Sequence, residues 1–364
     1  ILEIGKSKNT QVAMFVGGCV RKFLKDEDID DIDIATVFSP EEVKEKLKDS
    51  DFKIIDTGIE HGSVTVIINS NKFEITTLRQ DIKTDGRHAE VSFTDNWKQD
   101  SERRDFTINA IYMDIRGKIY DPQNGKEDLK NNKIKFIGDP TRRIEEDYLR
   151  IIRYLRFCIQ YNIKNPDPKI INSIKLNLNG IKNLSKERIL SELNKMFNFK
   201  NFNILLENEE IKNIFLLIFP EFKYLKRLTK STFIENPHLV FSILLVDEKD
   251  NFEYFCHKYK VSNNLKKILS FTAKNYIKFR EEKNFFKKDL KINIYKYGKE
   301  NIKFLIKFIY YAETKFSAKL LNKLLDEVDK IEIPNFPFNG QYLKNQGLTE
   351  GKEIGFVLKE LEKE

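Results

Sequence analysis

Residues 11–16 (QVAMFV) form an apolar run that stops at Gly17-Gly18. Short runs rich in β-branched residues follow at 32–37, 52–55, 63–68 and 72–78, with the length and composition of strands. Residues 69–71 (NSN) read as the turn between the last two. Between the second and third runs, Ser39-Pro40-Glu41-Glu42 carries a helix start: a serine N-cap, proline at the first position and glutamate three residues after the cap. That helix is predicted to end near Leu47. Beyond residue 138 the strand signals fade. Leu149, Ile152, Leu155 and Ile159 recur at helical spacing within 147–159. Further helices are predicted at 185–197, 238–245, 265–279, 301–313 and 318–331, separated by short polar loops such as 164–168. No repeat of fixed period occurs. The pattern predicts an α+β chain, a small mixed sheet with helices in front and an all-helical part behind.

Composition narrows the class. With 364 residues, the chain can form roughly two to four compact units. Hydrophobic residues make up 40%, too many for an intrinsically disordered chain. No uncharged apolar run reaches the roughly 18 residues of a membrane span, and no basic stretch leads into an apolar core as in a signal peptide. Three cysteines exclude a disulfide scaffold and fit a reducing compartment, so a cytoplasmic protein is expected. Cys19, Cys158 and Cys256 are unclustered, and His61, His88, His238 and His257 lack metal-ligand spacing. Neither a zinc site nor a histidine-dependent hydrolase is expected.

The net charge of +8 is unevenly spread. Residues 1–150 carry 25 Lys+Arg against 30 Asp+Glu, and residues 151–364 carry 39 against 26. An acidic front joined to a basic back suggests two jobs, the second of them holding a polyanion such as nucleic acid. Heavy use of Lys, Asn and Ile gives the same excess a blander source, biased codon usage.

Candidate chemistry concentrates in three places. The first is Gly17-Gly18-Cys19-Val20-Arg21, a strand end, a glycine pair and a helix start where backbone N–H groups can approach phosphate oxygens. Asp31-Ile32-Asp33 follows. Residues i and i+2 of a strand share a face, so two carboxylates stand side by side and repel unless a cation lies between them. Oxygen-only ligands suit Mg²⁺, and a metal pair there would polarise an attacking hydroxyl and hold a leaving pyrophosphate. Asp26, Asp28 and Asp30 offer other registers, but Asp31 and Asp33 lead into the apolar Ile34-Ala35. Glu74 is weighed as a third ligand and read as an ordinary outward-facing strand glutamate.

The second place is Arg103-Arg104-Asp105-Phe106-Thr107-Ile108-Asn109-Ala110, where arginine forks suit a triphosphate and Asp suits a ribose hydroxyl. A salt-bridged surface turn is the alternative. The third is Glu146-Asp147-Tyr148-Leu149-Arg150. Asp147 and Arg150 stand at i and i+3, neighbours on one helix face. Their ordinary outcome is a surface ion pair. Their chemical potential is larger. Cytosine and adenine each offer an amino donor beside a ring-nitrogen acceptor, which a carboxylate and a guanidinium complement. Uracil and guanine offer a carbonyl and a ring N–H there and meet the wrong partners.

GGCVR…DIDIAT, HGSVTV…FEITTLR, RRDFTINA, DPQNGKEDL and EEDYLRIIRYLRF, in this order and spacing, resemble the class II tRNA nucleotidyltransferases. These are the bacterial-type CCA-adding enzymes and the related bacterial poly(A) polymerases. Residues 184–189 (LSKERI) look like the family's motif that braces the base-reading helix, and GQYL…G…GKEIG over 340–355 looks like its tail ending. The matches are dense over residues 12–195.

The resemblance implies a small mixed-sheet nucleotidyltransferase palm, or head, over residues 1–137. It implies an all-α neck for base recognition over 138–200, a body over 201–270 and a tRNA-binding tail over 271–364. Carried over, Asp31 and Asp33 would be catalytic and bind Mg²⁺. Gly17, Gly18 and Arg21 would contact the triphosphate, and Arg104, Asp105 and Asn109 would hold sugar and phosphates. Asp147 and Arg150 would pair with the incoming base, with Arg153 and Arg156 in support and Glu187 and Arg188 bracing. Residues 81–100, with Asp85-Gly86-Arg87, would be the flexible loop that helps switch from C to A.

The chain departs from the family at Lys22, where Asp is usual, along 25–30, at Tyr148 in place of Pro, and at Ser63 in place of Thr. The implied function is addition of C, C and A to the tRNA 3′ end from CTP and ATP without a nucleic-acid template. The implied partners are the tRNA acceptor arm, CTP and ATP, with no membrane. An A-adding enzyme or poly(A) polymerase of the same family is the nearest alternative, and a non-catalytic RNA-binding protein the alternative from another class.

Overall fold

A computed structural model describes residues 11–59, 62–85, 88–282, 284–333, 336–349 and 351–362. His61, Gly86 and Arg87 lie outside the described residues. The strands are β1 (Ala13–Val16), β2 (Ile32–Thr36), β3 (Lys53–Gly58), β4 (Ser63–Ile68), β5 (Asn71–Thr77), β6 (Arg79–Asp85), β7 (His88–Phe93), β8 (Tyr112–Met113) and β9 (Ile119–Tyr120). Seven of them form one sheet in the order β3-β4-β5-β2-β1-β8-β9, and β6 and β7 form a separate hairpin. β2 and β5 run parallel; the other pairs are antiparallel. The sheet is mixed, as the sequence pattern predicts.

Local chemistry explains these elements. Asn69 and Ser70 both take positive φ, 48° and 69°, which closes the two-residue turn between β4 and β5. Helices α1 (Gly18–Leu24) and α2 (Pro40–Leu47) follow β1 and β2. At α2 the capping box is complete: the Glu42 N–H donates to Ser39 Oγ, and the Ser39 N–H donates back to Glu42. Both faces of the sheet are packed. Ala13, Ile34, Val43, Val64, Val66 and Ile75 cluster on one side. Met14, Val16, Ala35, Leu78 and Tyr112 cluster on the other, with Trp97 against them. Each such Val, Ile or Leu contributes on the order of 2 kcal/mol by leaving water. Asp33 shares the second face with Ala35 and so stands beside that apolar cluster, while Asp31, just before β2, is exposed.

The segment 81–100, expected as a flexible loop, has regular structure. It holds most of the β6–β7 hairpin and the first part of helix α3 (Trp97–Glu102). Asp100 is buried on that helix. Its alternating charged and apolar residues carry no turn signal before Asp85-Gly86, which hid the strands.

Helices α4 (Gly125–Lys130), α5 (Pro140–Glu146), α6 (Leu149–Gln160), α7 (Pro168–Asn177) and α8 (Lys186–Phe197) complete the part that surrounds the site. Past β9, the described residues contain no further strand. Predicted helices at 238–245, 265–279, 301–313 and 318–331 are found as Pro237–Leu245, Asn263–Glu281, Lys299–Ala312 and Ala318–Lys330. Two compact units emerge, one of residues 1–245 with 251–266, the other of 246–250 with 267–364.

In the first unit, Phe197, Phe215, Phe219, Phe222, Phe241, Phe255 and Tyr259 form a connected aromatic core. Phe252, Phe255 and Tyr259 are thus structural, while Tyr254 faces solvent. In the second unit, Tyr276 meets Phe308 edge-on and Tyr297 meets Phe271. Among the described residues no helix is long and apolar enough to cross a membrane.

Candidate active site

The site begins at the β1–α1 turn. Gly17 has φ +73°, a backbone open to glycine and strained for other residues. A Cβ there would stand 3.9 Å from both Asp33 Oδ2 and Arg104 Nη1, so the turn lies directly against both groups. Arg21, one turn into α1, is buried. Its Nε donates to the Tyr161 hydroxyl at 2.7 Å, its Nη1 donates to Asn109 Oδ1, and its guanidinium lies 4.9 Å from the Phe157 ring.

Asn109 passes the connection on by donating from Nδ2 to Asp105 Oδ1 at 2.8 Å. Asp105 in turn faces Arg153 at 2.9 Å. Burial would raise the Asp105 carboxyl, but Arg153, Asn109 and the Phe106 N–H outweigh it and hold it below the usual range. Arg156 pairs with Glu192 of α8 at 2.7 Å and lies over Phe157.

Asp31 and Asp33 flank Ile32 at the start of β2. Burial pushes the Asp33 carboxyl up to about 6, Glu74 and Asp31 push the same way, and Arg104 and Arg21 oppose them. Such an anion cluster is under-compensated, and hard oxygen donors relieved by a cation fit a divalent ion. Glu74 is the β5 neighbour of Asp33 in register and is exposed. Among the described residues, no three His, Cys, Asp or Glu side chains gather as a metal cluster.

One cavity of about 580 Å³ collects these groups. Gly17, Gly18, Arg21, Asp31, Asp33, Arg104, Asp105, Asn109, Asp147, Arg150, Arg153 and Arg156 all line it. Arg188 reaches it indirectly, through a 2.7 Å bond to Asp147. Glu187 lines a neighbouring cavity of about 370 Å³ instead.

The expected placement of Asp147 and Arg150 on one helix face needs correction. Asp147 caps the C-terminus of α5 in extended conformation, and α6 starts only at Leu149. Asp147 Oδ1 accepts from the Leu149 N–H at 3.1 Å, which ends one helix and starts the next. Arg150 pairs with Glu146 at 2.6 Å and donates to the Arg143 carbonyl. Each side chain is therefore oriented by its own partner rather than by the other.

Sequence reasoning missed Phe157, Gln160, Lys195, Asn198 and Phe199 in the lining, along with Arg79, while Arg103, which the RRDFTINA motif offered, does line it. The signal for two of them was present: Arg153, Arg156, Phe157 and Gln160 stand at i, i+3, i+4 and i+7, one face of α6. Lys22 also lines the cavity, where it forms an ion pair with Asp30.

Comparison with known proteins places the chain in a family. Residues 13–135 match the family model of the Poly A polymerase head domain. The chain is 33% identical over 367 residues to the mitochondrial CCA tRNA nucleotidyltransferase 1 of Danio rerio, covering 97% of this chain and 83% of that one. It is 33% identical to the CCA-adding enzyme of Lactobacillus helveticus, over 96% and 87% of the two chains. The chain belongs to the CCA tRNA nucleotidyltransferase family. Its fold is that of the Bacillus stearothermophilus CCA-adding enzyme solved with CTP (TM-score 0.72, 23% identity, 99% and 89% of the chains). The Thermotoga maritima enzyme complexed with tRNA shares that fold (TM-score 0.62, 20% identity, 98% and 87%).

Proposed function

We propose that this chain adds C, C and A to the 3′ end of tRNA, taking CTP and ATP in turn and using its own side chains as template. The observation that carries this reading is the single cavity in which Asp31 and Asp33 face the Gly17–Arg21 turn, with Asp147 and Arg150 also in its lining. Seven arginines line it, enough positive charge for a triphosphate.

Each group has a task in this account. Gly17 and Gly18 admit phosphate oxygens close to the backbone. Arg21 and Arg104 hold the triphosphate, and Asp105 with Asn109 orients the sugar. Asp147 accepts from the amino group of cytosine or adenine, and Arg150 donates to the adjacent ring nitrogen. Arg153 fixes Asp105, and Arg156 is itself fixed by Glu192.

Asp31 and Asp33 would hold Mg²⁺, for which two hard carboxylates in one cavity are suited. The bound ion would supply activation of the 3′-hydroxyl and charge neutralisation of the departing pyrophosphate. The basic part of the chain would receive the acceptor arm. The three cysteines are free and buried, which supports a reducing compartment, and the cytoplasm is our reading of it.

The test uses tRNAs ending before CCA, after C and after CC, each with CTP, ATP or both, in Mg²⁺. Completion of all three to CCA supports the reading. Extension of only the third gives an A-adding enzyme, and long A tracts give a poly(A) polymerase. No incorporation gives an RNA-binding protein.

A further inference from the structure

Asp100 lies on α3, 1% exposed, and does not line the cavity. Both of its oxygens are occupied. Oδ1 accepts from Arg103 Nε at 2.8 Å and from the Arg79 backbone N–H at 3.3 Å. Oδ2 accepts from Arg104 Nε at 3.1 Å, from Arg104 Nη2 at 2.9 Å and from the Tyr112 hydroxyl at 2.7 Å. Arg104 Nε also donates to the Tyr112 oxygen at 3.2 Å, and the guanidinium lies 5.3 Å from the Tyr112 ring. Two of the three guanidinium nitrogens are thus held from behind. The third, Nη1, faces Gly17, where a Cβ would approach it to 3.9 Å.

We propose that Asp100 and Tyr112 are positioning residues for nucleotide addition, clamping Arg104 so that its Nη1 meets the triphosphate beside Gly17. This inference rests on reading the cavity as the nucleotide site. An arginine on its own samples many rotamers, and each phosphate contact then has to restrict it. A carboxylate and a hydroxyl behind the fork do that in advance, in the free protein. The same carboxylate reaches the start of β6 through the Arg79 N–H, so the clamp is anchored to the hairpin as well as to β8.

The experiment measures CTP and CMP affinity in Mg²⁺ for wild type, Tyr112→Phe, Asp100→Asn, Arg104→Ala and Tyr112→Phe combined with Arg104→Ala. Tyr112→Phe keeps the ring packing and removes one hydroxyl. It should weaken CTP binding about tenfold, the effect of a lost bond to a charged group, and leave CMP binding unchanged. In the Arg104→Ala background it should have no further effect. Wild-type CTP binding by both Tyr112→Phe and Asp100→Asn, with loss in Arg104→Ala, overturns the clamp and leaves the nucleotide site standing. Equal loss of CTP and CMP binding makes the role merely structural and also overturns it. Unchanged CTP binding in Arg104→Ala defeats the phosphate role of Arg104 itself.

Discussion

Arg188 donates a 2.7 Å hydrogen bond to Asp147 Oδ2 and so ties the start of α8 to the junction of α5 and α6. The bond holds the carboxylate that is assigned to read the base. Arg188→Ala leaves the Asp147 carboxylate, among the described residues, with the Leu149 N–H alone, free to rotate about its side-chain bonds. Losing a charged hydrogen bond of about 1.5–3 kcal/mol predicts a fall in kcat/KM for CTP of about ten- to a hundredfold. Preference for CTP over UTP should narrow at the same time. Steady-state incorporation with each nucleotide measures both.

Gly180 offers a test from outside the cavity. A Cβ at that position would stand 2.1 Å from the Tyr148 ring, well inside contact distance. Tyr148 lies between Asp147 and the first residue of α6, so the ring has to move and its neighbours with it. Gly180→Ala should lower incorporation of both CTP and ATP while the protein stays folded. Unaltered kinetics would show that Tyr148 swings away freely.

The Asp100 carboxyl gives a pH-dependent prediction. Burial works to raise it, yet Arg104 and Arg103 hold it well below the usual carboxylate range. A depressed folded value means stability that is present above the unfolded value of about 3.9 and lost as pH falls below it. Asp100→Asn should therefore cost about 3 kcal/mol at pH 7, the penalty for leaving buried guanidinium groups without their partner. The difference from wild type should close as pH falls below about 4. Trp97, the single tryptophan, packs on Tyr112 at 5.4 Å and reports urea unfolding of this region by fluorescence.

Charge gives the fourth prediction. The lysine and arginine excess of residues 151–364 should meet tRNA phosphates, so tRNA affinity should drop steeply as ionic strength rises. A log–log plot of Kd against salt gives the number of counterions released. A flat plot would return the basic excess to biased codon usage.

Much of this was legible in the sequence, for identifiable reasons. The Ser39 cap, the Asn69-Ser70 turn and the apolar strands announce themselves locally, because each depends on a few adjacent residues. Asp31 and Asp33 were found because a strand's period fixes which side chains share a face. What the sequence hid depends on burial and on how side chains pair once the chain is folded. Asp100 looked like loop sequence, yet Arg103, Arg104 and Tyr112 make it a buried anchor. Asp147 looked helical by spacing, yet its side chain caps the next helix and its other oxygen is taken by a residue of α8. Lys195, Asn198 and Phe199 reach the cavity only because α8 packs on α6, which no local pattern records.

The most direct test of the account is base selection by Asp147→Ala. Wild type and variant are given tRNA lacking its CCA end with each of the four nucleotides in Mg²⁺, and the added bases are sequenced. The account predicts that the wild type adds only C and then A, and that the variant loses most incorporation and admits U and G among what remains. Selection of C and A by the variant as sharp as that of the wild type would contradict the claim that this side chain serves as template.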